Sequence, residues 1–251
     1  MSTLDSPVIV LAASLVMQWL AAYAGDLFRK KVRPLRKEER DDSDITRAAA
    51  LTLLGLIIGF SFAMAITRYD QRKNYEEAEA NAIGTEYLRT DLLPADVAST
   101  LRERLRLYLD QRISFYVTRD ESEITQINSD TQKLQAELWS AVTRAATMQQ
   151  TPIVALTVSG MNDVLNSQGY TQAAWWNRIP VAAWALMGLI AISCSLLLGY
   201  GERRTSGLVM VLPLIISISF SLIADIDSPR SGVIRVSPHN LIALRQVMNT
   251  Q

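Results

Sequence analysis

The residues able to do chemistry are few, and most stand alone. The chain of 251 residues holds one cysteine, Cys194, and one histidine, His239. Cys194 can form no intramolecular disulfide and lies inside an apolar run, where it reads as small apolar filler. His239 has no second His or Cys with which to share a metal, and reads as a surface imidazole. The sequence contains no Gly-rich phosphate loop ahead of a helix, no Gly-x-Ser-x-Gly elbow and no His–Glu metal motif. Glu76, Glu77 and Glu79 stand among Lys and Arg on a helical stretch. There they read as a solvated face with i,i+4 pairs. No cofactor and no metal is implied, and the chain is not expected to be an enzyme.

The most informative acids are Asp225 and Asp227. Ser217, Ser221 and Asp225 line up at i, i+4 and i+8 at the end of an apolar run. A polar stripe of that kind faces other helices or water rather than lipid. The leading reading is a structural pair between these carboxylates and Arg68 or Arg72, with cation binding second. Arg68, Ser217, Ser221, Asp225 and Asp227 therefore form an expected polar cluster at one membrane end.

The elements that must position these groups are apolar runs. Four nearly charge-free stretches cover residues 7–25, 48–66, 180–199 and 207–224. Each is close to the roughly 20 residues that a helix needs to cross a hydrocarbon core of about 30 Å. One such run can be a buried soluble helix, but four flanked by charge or aromatics define an integral membrane protein. The expected fold is all-α: four membrane helices, with a helical extramembrane domain inserted between the second and third. Residues 1–66 hold the first two helices and a basic loop, and 67–178 the helical domain. Residues 179–224 form a helical hairpin and 225–251 a tail.

Within the helical domain, Pro94 suits a first helical position. Leu101, Leu105, Tyr108, Leu109, Phe115 and Tyr116 make one apolar face. Residues 118–121, Thr-Arg-Asp-Glu, fit a capping box with Thr118 at its head. Ile127, Leu134, Leu138, Val142 and Ala145 mark the next helix. Thr151-Pro152 starts another, with Ile153, Leu156, Gly160 and Val164 at helical spacing, and residues 166–169 are expected to end it. Trp175 and Trp176 fit an interfacial belt. Pro213 is expected to kink or locally loosen the fourth membrane helix. The tail reads as a strand-like piece at 232–236 and a short helix at 240–248.

The two short loops, 26–47 and 200–206, must share a side if there are four spans, and both are dense in Lys and Arg. Such loops lie in the cytoplasm, which places the helical domain and both termini on the extracytoplasmic side of the inner membrane. The basic residues belong to a membrane-flanking loop, not to a nucleic-acid site. The lipid bilayer is the first partner.

The second membrane helix carries Gly55, Gly59 and Ala63 at i, i+4 and i+8, a spacing that lets another helix approach closely. A neighbouring face carries Thr52, Leu56 and Phe60 at the same spacing.

At residues 59–71, Gly-Phe-Ser-Phe-Ala-Met-Ala-Ile-Thr-Arg-Tyr-Asp-Gln, the chain resembles the second membrane helix of bestrophins. Over nearly its full length it is similar to the bestrophin-like domain family of bacterial membrane proteins. That likeness is carried by residues 79–89 (Glu-Ala-Asn-Ala-Ile-Gly-Thr-Glu-Tyr-Leu-Arg), by Leu92-Leu-Pro94 and by residues 225–237 (Asp-Ile-Asp-Ser-Pro-Arg-Ser-Gly-Val-Ile-Arg-Val-Ser). Bestrophins are pentameric anion channels with an apolar neck on the second helix. The resemblance implies a homo-oligomer, a pentamer, passing an inorganic anion, with Thr52, Leu56 and Phe60 at the neck. Bestrophins also carry an acidic run after the last membrane helix that clasps calcium. Here only Asp225 and Asp227 stand there, followed by Ser-Pro-Arg, which argues against that site. Bestrophins keep the inserted domain in the cytoplasm; the charge pattern here says the opposite and is followed. The competing reading is a non-conducting membrane protein whose helical domain senses or binds a partner.

Overall fold

A computed structural model describes residues 6–31, 39–201 and 210–250. The described residues form helices and no strands: α1 (Pro7–Lys31), α2 (Glu39–Arg89), a 3₁₀ turn (Thr90–Leu92), α3 (Ala95–Val117), α4 (Glu121–Met148), α5 (Pro152–Trp176), α6 (Val181–Gly201), α7 (Val211–Asp227) and α8 (His239–Thr250). They fall into two units. The first holds residues 1–68 and 178–235, and the second holds 69–177 and 236–251. The division falls inside α2, so a single helix serves both.

Three helical runs among the described residues are long and apolar enough to cross a membrane: Pro7–Lys31, Ser43–Leu92 and Pro152–Gly201. The last of these is divided at residues 177–180 into α5 and α6, and α6 carries no charged residue. α7 has 17 residues, at the short end of what a span needs. The beginning of the fourth apolar run and the tip of the loop before it lie outside the described residues.

In the first unit α1 packs on α6 and α7. Its buried residues are Val10, Ser14, Gln18, Ala21, Ala22 and Gly25, at spacings of three and four that define one helical face. Small residues let α1 and α6 touch backbone to backbone. A Cβ on Gly25 would lie 2.1 Å from the carbonyl oxygen of Leu196, and one on Gly199 would lie 1.9 Å from that of Ala22. Gln18 is fully buried where three helices meet. Its amide Nε2 donates to Ser217 Oγ at 3.0 Å, and its Oε1 accepts from Ser195 Oγ at 3.4 Å. Side-chain hydrogen bonds of this kind tie helices together where lipid offers no alternative partner.

In the second unit the core is made by Ile83 and Tyr87 of α2, Leu101, Leu105, Tyr108 and Phe115 of α3, Leu138 and Val142 of α4, Met161 and Val164 of α5, and Leu241 of α8. Phe115, Tyr116 and Trp175 form an aromatic triangle, with ring centroids 4.8–5.6 Å apart.

Several local expectations change. α4 is capped by Asp120, whose Oδ1 accepts the Ser122 N–H at 2.8 Å, because Thr118 lies two residues too early to reach the first free amides. α5 continues through residues 166–169 to Trp176: Ser167 and Thr171 are buried along it, and packing overrides the local turn signal. Its buried face begins at Val154 and Thr157, whereas Ile153 and Leu156 are exposed. Trp175 belongs to the aromatic core and only Trp176 is exposed. Pro213 falls in the first turn of α7, where no intrahelical N–H bond is lost, so nothing requires a kink. Residues 232–236 form no strand; Val233 and Ile234 turn back onto Asp225 at the end of α7.

Candidate functional site: an uncovered face of α2 and the acids that close α7

On the first-unit half of α2 one face is buried, marked by Leu54, Ser61 and Ala65. The other face is left uncovered by the described residues of the protomer. Leu56 and Phe60 are 55% and 63% exposed, and Leu53 and Met64 are exposed beside them. Thr52, Gly55, Gly59 and Ala63 are exposed too. The Thr52 hydroxyl donates back to the Ala48 carbonyl at 2.9 Å, which satisfies it without a partner helix. A Cβ placed on Gly55 or Gly59 would meet nothing within 4 Å among the described residues. The contrast with Gly25 and Gly199 is direct: those glycines are filled by a neighbouring helix of the same chain, and these are not.

At the end of α7 the expected polar residues divide between tasks. Ser217 accepts from Gln18, and Ser221 Oγ donates to the Pro7 carbonyl at 2.9 Å. Asp225 accepts the backbone N–H groups of Val233 at 2.7 Å and Ile234 at 2.9 Å. That turn needs Gly232, since a Cβ there would lie 2.6 Å from the Asp225 carbonyl oxygen and 2.7 Å from its Oδ1. Asp227 accepts the Ile179 N–H at 3.1–3.2 Å, and Arg68 Nη1 lies 4.0 Å from its Oδ1. Arg72 belongs to the second unit and is buried there. Both carboxylates are buried and turned toward N–H donors. A cation site needs the reverse, oxygens converging on an empty centre. Among the described residues no group of three or more His, Cys, Asp or Glu could hold a metal ion.

Sequence reasoning missed the charged groups of the second unit. Glu76, Glu79 and Glu86 are all buried, not solvated. Glu79 accepts from Arg112 Nε, from Thr171 Oγ1 at 3.1 Å and from Tyr116 Oη at 3.3 Å. Burial opposes the charge of Arg112, but the adjacent Glu79 outweighs it and raises the guanidinium pKa above its ordinary value. Tyr116, buried beside the same carboxylate, is likewise pushed up. Glu76 caps α8, accepting the N–H groups of Asn240 at 2.9 Å and Leu241 at 3.0 Å. A signal was available. Arg72, Glu76, Glu79, Ile83, Glu86 and Thr90 follow one another at three and four residues, so these polar groups share the inward face with Ile83.

The architecture defines a class. A bacterial bestrophin homologue from Klebsiella pneumoniae carrying a point mutation superposes with a TM-score of 0.68 at 13% identity, over 98% of this chain and 99% of that one. A second crystal structure of a bacterial bestrophin homologue from Klebsiella pneumoniae gives 0.66 at 12% identity, over 96% and 95%. A structure described as a membrane protein gives 0.69 at 12%, over 97% of each chain. None of the curated proteins matches this chain. The Bestrophin-like domain matches residues 45–241, and the chain belongs to that family.

Proposed function

We propose that this chain is the subunit of an oligomeric membrane channel for inorganic anions, with Leu56 and Phe60 forming an apolar neck around a central axis. Thr52 extends that face, and Gly55, Gly59 and Ala63 pack against the next subunit. The observation that carries the reading is the uncovered α2 face. It presents large apolar side chains beside glycines with open space, on a helix otherwise packed within its protomer. A ring of large apolar side chains narrows a passage and gates it by dewetting, while leaving no charge to trap an ion. The bestrophin-like fold supports the same arrangement.

In this reading residues 1–66 and 179–224 supply four spans, and residues 67–178 form a domain on the extracytoplasmic side of the inner membrane. Asp225, Asp227 and Arg68, with Ser217 and Ser221, hold the membrane end of α7 in place. Reconstitution into liposomes with an anion-flux assay tests the proposal. Flux above protein-free liposomes is expected. Its absence from a correctly assembled oligomer would favour a non-conducting protein whose helical domain binds a partner.

A further inference from the structure

Glu79 and Glu86 lie on the same inward stripe of α2, two turns apart, yet their surroundings differ. Glu79 has three side-chain donors. Glu86 is 0% exposed, and among the described residues neither of its carboxyl oxygens has a hydrogen-bond partner. Arg89 Nη1 lies 3.7 Å from Oε2, outside hydrogen-bonding range. Opposite stands Gly160 of α5. A Cβ on it would lie 2.0 Å from Glu86 Oε2 and 2.1 Å from Arg89 Nη1, so α5 gives up a side chain where the carboxyl rests. The charged groups acting on Glu86 are Arg89 from its own helix and Asp163 from α5. Asp91 in the 3₁₀ turn and Arg102 of α3 pair with each other instead.

We propose that the contact between Glu86 of α2 and Gly160 of α5 is a protonation switch, closed while the carboxyl holds its proton and loosened when the proton leaves. A neutral carboxyl sits at modest cost in an apolar crevice. A carboxylate there without donors is unfavourable, and it regains partners only by drawing in water or closing on Arg89. Either movement displaces the two side chains that lie on Gly160. Burial pushes the Glu86 carboxyl up to about 8; Arg89 opposes this shift and Asp163 adds to it. The sign follows from linkage. An ordinary Glu ionises near 4.5. Packing at this contact is therefore at full strength below that value and weakens as pH rises through about 8. Glu86 lies beyond the apolar stretch that ends at residue 66, on the helix that also carries Leu56 and Phe60. The switch does not rest on conduction.

Hydrogen–deuterium exchange of the full-length protein in lipid nanodiscs, from pH 5 to 9.5 and corrected for intrinsic rates, tests it. Amides of residues 157–165 should lose protection at least tenfold as pH rises from about 4.5 to about 8, with a midpoint between these values. Glu86→Gln should keep them protected throughout. Arg89→Gln removes the nearby cation and should move the midpoint to higher pH. Flat protection in the wild type, an unchanged transition in Glu86→Gln, or a midpoint that stays or falls in Arg89→Gln would overturn the switch. None of these outcomes depends on whether the protein passes ions.

Discussion

Arg112 donates its Nε–H to Glu79 Oε1 with neither side chain exposed to solvent. The pair links α2 to α3, and Thr171 on the same carboxylate adds α5. The guanidinium also lies 4.5 Å from the centroid of the Phe115 ring. Removing one partner strands a buried charge, which costs about 3–5 kcal/mol, whereas replacing both with apolar side chains is far cheaper. Glu79→Leu and Arg112→Met should each lower the thermal unfolding midpoint sharply, and the double variant should recover much of the loss. Additive losses in that cycle would show that the two side chains act independently.

The glycines of the first unit make a second, contrasting set of predictions. Gly199→Ala drives a methyl into the Ala22 carbonyl, and Gly25→Ala drives one into that of Leu196. Backbone cannot yield as a side-chain tip does, so each should cost about 1–3 kcal/mol by overpacking. Gly59→Leu places its Cβ where nothing among the described residues lies within 4 Å. It should leave protomer unfolding within about 0.5 kcal/mol of wild type while disrupting the oligomer. Thermal unfolding and native mass spectrometry, run side by side, separate the two effects. An intact Gly59→Leu oligomer would remove α2 from the subunit interface.

Side of the membrane is a third prediction, resting on the density of Lys and Arg in the loops 26–47 and 200–206. In a Cys194→Ser background, Ser122→Cys should react with an impermeant thiol reagent on intact cells. Lys31→Cys should react only after permeabilisation. The reverse pattern would place the helical domain in the cytoplasm.

How far the sequence could be read varied with the physical signal. Leu101, Leu105, Tyr108 and Leu109 are inward on α3, as their period requires, because apolar burial dominates that helix. The Thr151-Pro152 start of α5 was equally legible, since capping is local chemistry: Thr151 Oγ1 accepts the Val154 N–H at 3.3 Å. The buried acids of α2 were hidden by type. Glu76 and Glu79 look like surface residues until their spacing to Ile83 is weighed above their charge. Their partners, Arg112 and the α8 N-terminus, lie more than thirty residues away in the sequence. The Gly25–Gly199 crossing escaped for the same reason. Two glycines that each meet the opposite helix only in the fold have no spacing to reveal them, whereas the Gly55–Gly59–Ala63 stripe does.

The central claim, an apolar neck at Leu56 and Phe60, is tested most directly by planar-bilayer recording of wild type, Leu56→Ala, Phe60→Ala and the double variant. Truncation at a dewetted constriction widens it and lowers the cost of hydrating the passage. Phe60→Ala should therefore raise basal anion conductance with the oligomer intact, and the double variant should raise it further. Four correctly assembled proteins with no conductance above that of an empty bilayer would contradict the channel reading.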